Sequence, residues 1–283
     1  MIFQYNTEAE YAGFGAPTRP PVYLKRPKTR PPKEEALTKM KTLMKSRDNA
    51  DLLEHLTNDN FLSRFLYTRK MNAEASVHLL ERYLQFRQIH PEIFVSLSVE
   101  DPFVQMCLRN RFPGVLPDRD RNGRCVLFLS LRKWSRHLFS LEAMFKALLL
   151  LMDSLQNDTK VQYSGFVFLI DWNQSSIYVN PKQLKTLIEG LQDCYPARFK
   201  AIHFVNQPVQ VDVLLTLVKP FLKEKTRDKI FVHGSNLSSL YEHIPQSILP
   251  DESFNGSVPV NTCIQDELIV PPGPVTRQKL RIV

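Results

Sequence analysis

The sequence predicts an α/β protein in which a small all-helical N-terminal domain precedes a domain built on a mainly parallel sheet. Helical periodicity dominates the chain from Glu34 to about Gln88. Beyond Arg111, four near-continuous apolar runs of strand length alternate with helical segments. Strands that are apolar on both faces are typical of parallel sheets that are covered on both sides. The alternation of strand and helix therefore favours an α/β architecture.

Cap residues and apolar spacing define the N-terminal domain, which we expect over residues 34–95. Met40 belongs to an apolar series at helical spacing, and the run Asn58–Asn60 offers N-cap side chains for a second helix. Asn72 is placed to cap a longer third helix, which Pro91 is expected to end.

The second domain is expected over residues 96–255. An Asn-Gly pair within Asp120–Arg124 predicts a tight turn before the first strand. The predicted strands are Cys125–Leu131, Gly165–Asp171, Ala201–Asn206 and Lys229–His233. The predicted helices between them are Ser140–Ser154, Pro181–Asp193 and Val209–Leu222.

Both ends of the chain are predicted to lack regular secondary structure. Residues 1–33 hold many prolines and, from Arg19 to Lys33, basic residues with no acid between them. We interpret them as a disordered basic arm, and a contact to anionic lipid or to a partner stays an open alternative. Residues 256–283 are rich in proline and poor in aromatic residues, and they are expected to form a disordered tail.

Composition narrows the class of protein. A net charge of +8 favours anionic partners, although solubility alone explains a charge of this size. The four cysteines have no metal-ligand spacing, so we expect reduced thiols and no metal. The N-terminus lacks a signal-peptide pattern, and the longest apolar run near Leu148 is too short to span a bilayer. We therefore expect a cytoplasmic protein, a monomer without a cofactor.

Catalytic motifs are missing from the sequence. It contains no nucleophile elbow, phosphate loop, dinucleotide fingerprint or zinc-protease motif. Ser235, His233 and Asp171 could supply the residue types of a catalytic triad. The simpler interpretation is that they are polar residues at strand ends whose hydrogen bonds are satisfied. We therefore expect that this protein is not an enzyme.

The segment Val209–Leu222 is unusually apolar. One helical stripe holds Val211, Leu214, Leu215, Val218 and Phe221, whereas Val213, Leu217 and Leu222 lie partly outside it. Such a helix is either a core helix or a lid that shields an apolar ligand, and the sequence leaves both open.

Basic residues gather before two neighbouring strands. Arg198 and Lys200 precede one strand, and five basic residues from Lys219 to Lys229 precede the next. In a parallel sheet both sets lie at the same edge, so they can converge into a docking site for anionic lipid. A solvated face is the alternative. Nucleic acid is disfavoured because the aromatic residues lie in apolar strands and not among these cations.

Several ordered motifs resemble the CRAL-TRIO lipid-binding family, including its tocopherol- and retinaldehyde-carrying members. The resemblance extends over about residues 36–255. The motifs are Phe61–Lys70 (FLSRFLYTRK), Tyr195–Pro208 (YPARFKAIHFVNQP), Val218–Leu222 (VKPFL), His233-Gly234 and Ile248–Pro250 (ILP).

This resemblance implies an apolar cavity beneath a mobile gate helix, here about Asn206–Lys229, and a site for phosphatidylinositol bisphosphates beside it. The implied phosphoinositide ligands are Arg69, Arg198, Lys200, Lys225 and Lys229. Plausible cavity residues are Leu148, Met152, Phe166, Phe168, Ile170, Ile177, Leu184, Leu187, Val211, Leu215 and Val218. Leu148 and Met152 replace small hydroxyl residues of the tocopherol carrier, which makes the wall bulkier.

Together these features predict an intracellular carrier of a small hydrophobic lipid, such as a retinoid or a tocopherol-like molecule, that acts at phosphatidylinositol-bisphosphate membranes. The alternatives are a phosphoinositide-binding trafficking adaptor without a soluble cargo, a scaffold that uses residues 1–33, and a hydrolase.

Overall fold

The computed structural model describes residues 30–47, 58–95, 97–131, 140–173 and 180–258, and it has the predicted α/β architecture. The strands are β1 (Gly114–Val115), β2 (Cys125–Ser130), β3 (Phe166–Asp171), β4 (Phe199–Val205) and β5 (Ile230–Gly234). The helices before the sheet are α1 (Lys33–Lys45), α2 (Asp59–Thr68), α3 (Ala73–Ile89), α4 (Pro91–Phe94) and α5 (Pro102–Arg109). The later helices are α6 (Leu141–Leu155), α7 (Thr159–Ser164), α8 (Pro181–Glu189), α9 (Val209–Val218), α10 (Glu224–Arg227), α11 (Leu237–Tyr241) and α12 (Asp251–Phe254). Short helical turns lie at Gly190–Cys194, Lys219–Phe221 and Gln246–Ile248.

The first helices begin where the sequence predicts. The side chain of Asn58 accepts a hydrogen bond from the Phe61 amide at 3.0 Å. The side chain of Asn72 does the same for Ala75 at 3.0 Å. Each bond satisfies one of the amides that the first turn of a helix leaves unpaired. The predicted caps of α2 and α3 are therefore confirmed.

The sheet is mainly parallel, as predicted. Strands β2, β3, β4 and β5 pair in parallel in chain order, and β1 joins β2 antiparallel at one edge. Alternate residues of each strand enter two different cores. Leu127 and Phe168 face the core shared with the N-terminal helices, and Phe128 and Leu169 face the core beneath α11 and α12. Burial on both faces explains the continuous apolar runs.

Two helices are shorter than predicted. Helix α8 ends at Glu189, and a π-helical turn follows over Gly190–Cys194. A Cβ atom on Gly190 would lie 2.7 Å from the ring of Phe86, so glycine permits the close approach of this turn to α3. Helix α9 ends at Val218 because Pro220 lacks the amide that would continue it, and the chain passes into a 3-10 turn.

A partly buried polar network joins the N-terminal helices to the sheet domain. The Arg64 guanidinium of α2 donates to Oδ1 of Asp153 on α6 at 3.0 Å. The Tyr195 hydroxyl donates to the same oxygen at 2.7 Å. Burial raises the pKa of that hydroxyl well above its usual value, so it remains a donor. The two parts of the chain therefore share one charge-paired interface.

Some predicted boundaries fall outside the described residues. These are most of the basic arm (1–29), residue 96 at the expected domain boundary, and most of the tail (259–283). The division into domains stays a prediction.

Candidate functional site

Helix α9 is apolar on both its inner and its outer face. Val211, Leu215 and Val218 are buried against the sheet domain. On the outer face Val209 is 75% exposed, Val213 57% and Leu217 59%. A surface helix normally turns polar residues to water. Helix α9 instead presents an apolar face to solvent, so it is not enclosed on all sides as a core helix is.

After α9, the burial of the side chains differs from that expected of the predicted apolar stripe. Leu222 is buried, whereas Phe221 is exposed, which reverses their expected positions. The cause is the 3-10 turn, which rotates the residues after Lys219 relative to the α9 stripe. The ammonium group of Lys185 lies 5.3 Å from the centroid of the Phe221 ring and partly covers it.

The described members of the predicted cavity wall belong to one apolar core or pack against it. They are Leu148, Met152, Phe166, Phe168, Ile170, Leu184, Leu187, Val211, Leu215 and Val218. Ile177 lies outside the described residues.

The predicted cavity residues differ in how much of their surface is accessible to solvent. Met152 is 0% exposed, Phe166 1% and Leu148 2%, so these three pack closely against other side chains. Ile170 on β3 and Leu187 on α8 are only half-buried. Ile170 and Leu187 therefore keep accessible surface, whereas the three closely packed residues keep almost none.

Four of the five predicted phosphoinositide ligands converge. Arg198 and Lys200 lie at the start of β4, Lys225 lies in α10, and Lys229 directly precedes β5. Burial and then the charges of Arg198, Arg124, Lys229 and Lys70 lower the pKa of Lys200 to about 8. The pKa of Lys229 is lowered by burial and by Lys225 and Arg198. The basic cluster thus consists of Lys70, Arg124, Arg198, Lys200, Lys225 and Lys229.

Arg69, the fifth predicted ligand, has different electrostatic neighbours. Its pKa is lowered by burial and by Arg82, and raised by Asp193. The next residue, Lys70, acts on Lys200 and Lys229 instead. Lys70 adopts a left-handed conformation (φ 56°), which turns the backbone between the two side chains. Sequence reasoning missed Lys70, although it adjoins Arg69.

An open cleft of about 690 Å³ adjoins the basic cluster. Its cations are Arg124, Lys160, Arg198 and Lys200. Tyr67 of α2 and Tyr163 of α7 also line it, with their ring centroids 6.1 Å apart at an edge-to-face angle. The cleft thus brings together α2, the turn before β2, α7 and the start of β4, which the sequence did not predict.

Gly165 fixes the backbone beside Arg198. The amide of Phe166 donates to the Arg198 carbonyl at 2.8 Å. Gly165 has a φ of 84°, and a Cβ atom on it would lie 2.2 Å from that carbonyl oxygen. The guanidinium of Arg198 donates to the Tyr163 carbonyl at 2.5 Å. Glycine is therefore required for the close approach that places Arg198 between β3, β4 and α7.

Ser235, His233 and Asp171 do not form a catalytic triad in the structure. Nδ1 of His233 contacts the Ser239 hydroxyl at 2.8 Å, and Nε2 contacts Nδ1 of His203 at 2.9 Å. Asp171 accepts instead from the Asn206 amide group at 2.9 Å. Within the described ranges no hydrogen bond joins His233 to Asp171 or to Ser235. The simpler interpretation of satisfied polar residues fits this arrangement for His233.

Two kinds of feature are absent from the residues that the structure describes. The residues that the structure describes contain no group of three or more His, Cys, Asp or Glu side chains placed to hold a metal ion. None of the helices in those ranges combines the length and the apolar character needed to cross a bilayer.

Known proteins resemble much of this chain. It is 42% identical to clavesin-1 of Xenopus laevis over 207 residues, which are 72% of this chain and 62% of clavesin-1. It is 41% identical to human clavesin-2 over 207 residues, 72% of this chain and 63% of that protein. The chain therefore spans less than two thirds of the length of these relatives.

A solved structure supports the fold. The crystal structure of Sfh5 matches with a TM-score of 0.57 and 17% sequence identity, covering 87% of this chain and 96% of that chain. At this identity the likeness shows a shared fold.

A family match covers the sheet domain. The sequence profile of the CRAL/TRIO domain matches residues 109–256, just over half of the chain. The predicted family is thus confirmed, whereas the resemblance to the tocopherol and retinaldehyde carriers within it is supported only loosely. The chain belongs to the CRAL/TRIO family of lipid-binding proteins.

Proposed function

We propose that this chain carries a small hydrophobic lipid, such as a retinoid or a tocopherol-like molecule, and exchanges it at membranes that contain phosphatidylinositol bisphosphates. The observation that carries the proposal is the succession of an exposed apolar face and a basic cluster. Val213 and Leu217 are exposed on α9, and the chain leads within a few residues to Lys225 and Lys229. An apolar face beside cations is the arrangement that docks a protein on an anionic bilayer.

The energetics explain why a membrane is needed. A ligand that buries about 400 Å² of apolar surface gains roughly 10 kcal/mol before ordering costs, so its release into water is slow. Each Lys or Arg near an anionic leaflet contributes about 1 kcal/mol, and four contribute about 4 kcal/mol. That energy supports reversible docking. When α9 swings toward the bilayer, the ligand partitions into lipid, and no covalent bond changes.

We propose that the cargo contacts Ile170, Leu184 and Leu187, which keep accessible surface. In this proposal the protein works as a monomer at the cytoplasmic surface of membranes.

The test removes the gate-side cations. Arg198, Lys200, Lys225 and Lys229 are changed together to Ala, and binding to phosphatidylcholine vesicles with and without phosphatidylinositol 4,5-bisphosphate is measured by sedimentation. A control variant removes the same charge from four exposed sites elsewhere, namely Lys39, Lys45, Arg109 and Lys182. We expect bisphosphate-dependent binding to fall at least 100-fold in the first variant only. Equal binding by both variants contradicts the proposal.

A trafficking adaptor without a soluble cargo is the second candidate. The close packing of Leu148, Met152 and Phe166 favours it, because a wall beside a ligand-sized space keeps accessible surface. Native mass spectrometry of the protein purified from tissue separates the two functions. A carrier retains one lipid per chain, whereas an adaptor shows the mass of the protein alone.

A further inference from the structure

Two buried histidines form a hydrogen-bonded pair on the side of the sheet that carries α11. His203 on β4 is 1% exposed, and His233 on β5 is 8% exposed. Nδ1 of His203 lies 2.9 Å from Nε2 of His233. The ring of His203 also stacks on that of Phe231, with the centroids 5.0 Å apart. Neither histidine takes part in the function proposed above.

A neighbouring hydroxyl group fixes which ring nitrogen of His233 carries the proton. The Ser239 hydroxyl donates its hydrogen to the Asn236 carbonyl at 2.8 Å, so it can only accept from Nδ1 of His233, also at 2.8 Å. Nε2 of His233 is then the nitrogen without a proton, and it accepts from Nδ1 of His203. A second proton on His233 would place two N–H donors face to face at 2.9 Å. The closed arrangement therefore requires a neutral His233.

The charged and titratable groups around the pair also disfavour a proton on it. Arg124, from the turn before β2, places a positive charge near His203. His243, after α11, has its ring centroid 5.1 Å from that of His203, and it is itself influenced by Glu242 and Arg124. Asp120 pairs with Arg124 at 3.2 Å. Burial, and after it these neighbours, lower the pKa of both paired histidines.

The residue after His233 holds the segment that leads into α9. The Gly234 carbonyl accepts from the Asn206 amide at 2.7 Å, and the Gly234 amide donates to Oε1 of Gln207 at 3.1 Å. Asn206 has a left-handed φ of 52°, which costs energy in a residue other than glycine and persists because such contacts hold it. Helix α9 begins two residues after Gln207. A displacement of His233 is therefore transmitted to the start of α9.

We propose that His203 and His233 form an acid-sensitive latch on the chain that enters α9, and that their protonation in a locally opened state frees this end of the gate. The inference rests on the proposed function only in treating α9 as the gate. In the opened state each histidine is solvated and titrates at about pH 6.5, so in acid the opened state binds protons that the closed state excludes. Between about pH 7.4 and 5.5 each histidine raises the opened fraction about ten-fold, and the two together up to about 100-fold.

Hydrogen exchange followed by mass spectrometry measures this opening without vesicles or cargo. Exchange is compared at about pH 7.4 and 5.5 in peptides that contain the Asn206 and Gly234 amides, after correction for the intrinsic pH dependence of exchange. In the unmodified chain we expect the opened fraction to rise about 10- to 100-fold. In His203→Asn, whose carboxamide can still donate to Nε2 of His233, the rise should be about ten-fold smaller. His78→Asn, at an exposed histidine of α3, should respond as the unmodified chain does.

Three results would overturn the latch. One is an acid response at residues 205–214 that His203→Asn leaves unchanged. Another is a response of equal size throughout α3, which would show that the whole chain unfolds. The third is an entry to α9 that stays equally protected at both pH values in the unmodified chain, a result that needs no variant. Thermal melting curves verify folding, and His233→Asn replaces His203→Asn if the latter does not fold.

The latch and membrane docking are judged by different measurements. If the four-site Ala variant binds vesicles normally while the acid response persists, docking fails and the latch stands. If that variant loses vesicle binding while the unmodified chain shows no acid response, docking stands and the latch is overturned.

Discussion

The side chain of Gln192 holds the backbone of Lys223 in place: its Oε1 accepts the Lys223 amide at 2.8 Å. Its Nε2 donates to the Phe221 carbonyl at 3.3 Å, so one carboxamide binds the chain on both sides of Leu222. The neighbouring Asp193 pairs with the Lys223 ammonium and, at 3.7 Å, with Arg82 on α3. The C-terminal end of the gate is thereby tied to the π-helical turn and to the N-terminal helices.

Removing this carboxamide is expected to loosen the end of the gate. In Gln192→Ala, the loss of two hydrogen bonds lowers the local free energy of opening by about 1–2 kcal/mol. Amide hydrogen exchange at residues 219–223, followed by mass spectrometry, should accelerate about ten-fold. Gln183→Ala on α8 is the matched control, since Gln183 is exposed. Identical exchange in the two variants would contradict this role.

Substitutions at Asp153 and Tyr195, which share one polar network, are expected to lower stability by different amounts. Asp153→Ala removes the carboxylate of the buried Arg64 guanidinium, which keeps only the Asp153 carbonyl and the Asn157 side chain as acceptors, and costs about 2–3 kcal/mol. Tyr195→Phe removes the hydroxyl that donates to Asp153 and accepts from the Gln156 carboxamide, and costs about 1–2 kcal/mol. Urea unfolding measures both. The control Asp118→Ala, at an exposed carboxylate, should stay within about 0.5 kcal/mol. A loss below 1 kcal/mol for Asp153→Ala refutes the assignment.

The histidines behind the sheet predict a loss of stability in acid. Burial and the neighbouring histidines lower the pKa of His203 to about 2 and that of His233 to about 4. In the unfolded chain a histidine titrates near 6.5, so below that pH the unfolded state binds protons that the folded state does not. Stability therefore falls as the pH decreases from about 6.5 toward 4.

The variant His203→Asn tests this dependence. It removes one of the protons, so the slope of unfolding free energy against pH should become shallower by up to about 1.4 kcal/mol per pH unit between pH 6 and 4. His78→Asn is the control, because His78 lies on the exposed surface of α3. Urea midpoints at several pH values provide the measurement, and parallel curves for His203→Asn and the unmodified chain would disprove the prediction.

Substitution by alanine is expected to lower stability unequally at two glycines with positive φ. Gly165→Ala combines a left-handed backbone with a clash against the Arg198 carbonyl, and should cost about 2–4 kcal/mol. Gly123→Ala meets no atom within 4 Å, so only the backbone conformation costs energy, about 1 kcal/mol. Urea unfolding compares the two. Vesicle binding should weaken further in Gly165→Ala because Arg198 shifts. Equal losses of stability would show that the clash is relieved.

Much of the fold follows from local signals in the sequence. The Asn58 and Asn72 caps and the apolar strands depend on residues close together in the chain, and the structure confirms them. The turn before β2 is another such feature, since Asp120 accepts from the amides of Asn122 and Arg124.

The features that sequence reasoning missed depend on contacts between distant residues. The π-helical turn arises where Gly190 meets Phe86, which lies more than a hundred residues earlier. The position of Lys70 near Lys200 and Lys229 depends on a left-handed backbone conformation at a residue that is not glycine. Lys160 lines the cleft together with Arg198, whose guanidinium donates to the Tyr163 carbonyl of the same helix, and nothing in its own segment marks it.

The ion pair between Arg64 and Asp153 decides where the chain can be divided. A fragment restricted to the family-matched residues 109–256 would retain Asp153 and Tyr195 but lose their cation. It would also expose the face of Tyr195 that packs edge-on against Tyr83, 6.5 Å away. We therefore expect a chain trimmed or fused at residue 109 to be less stable than one that begins before α2.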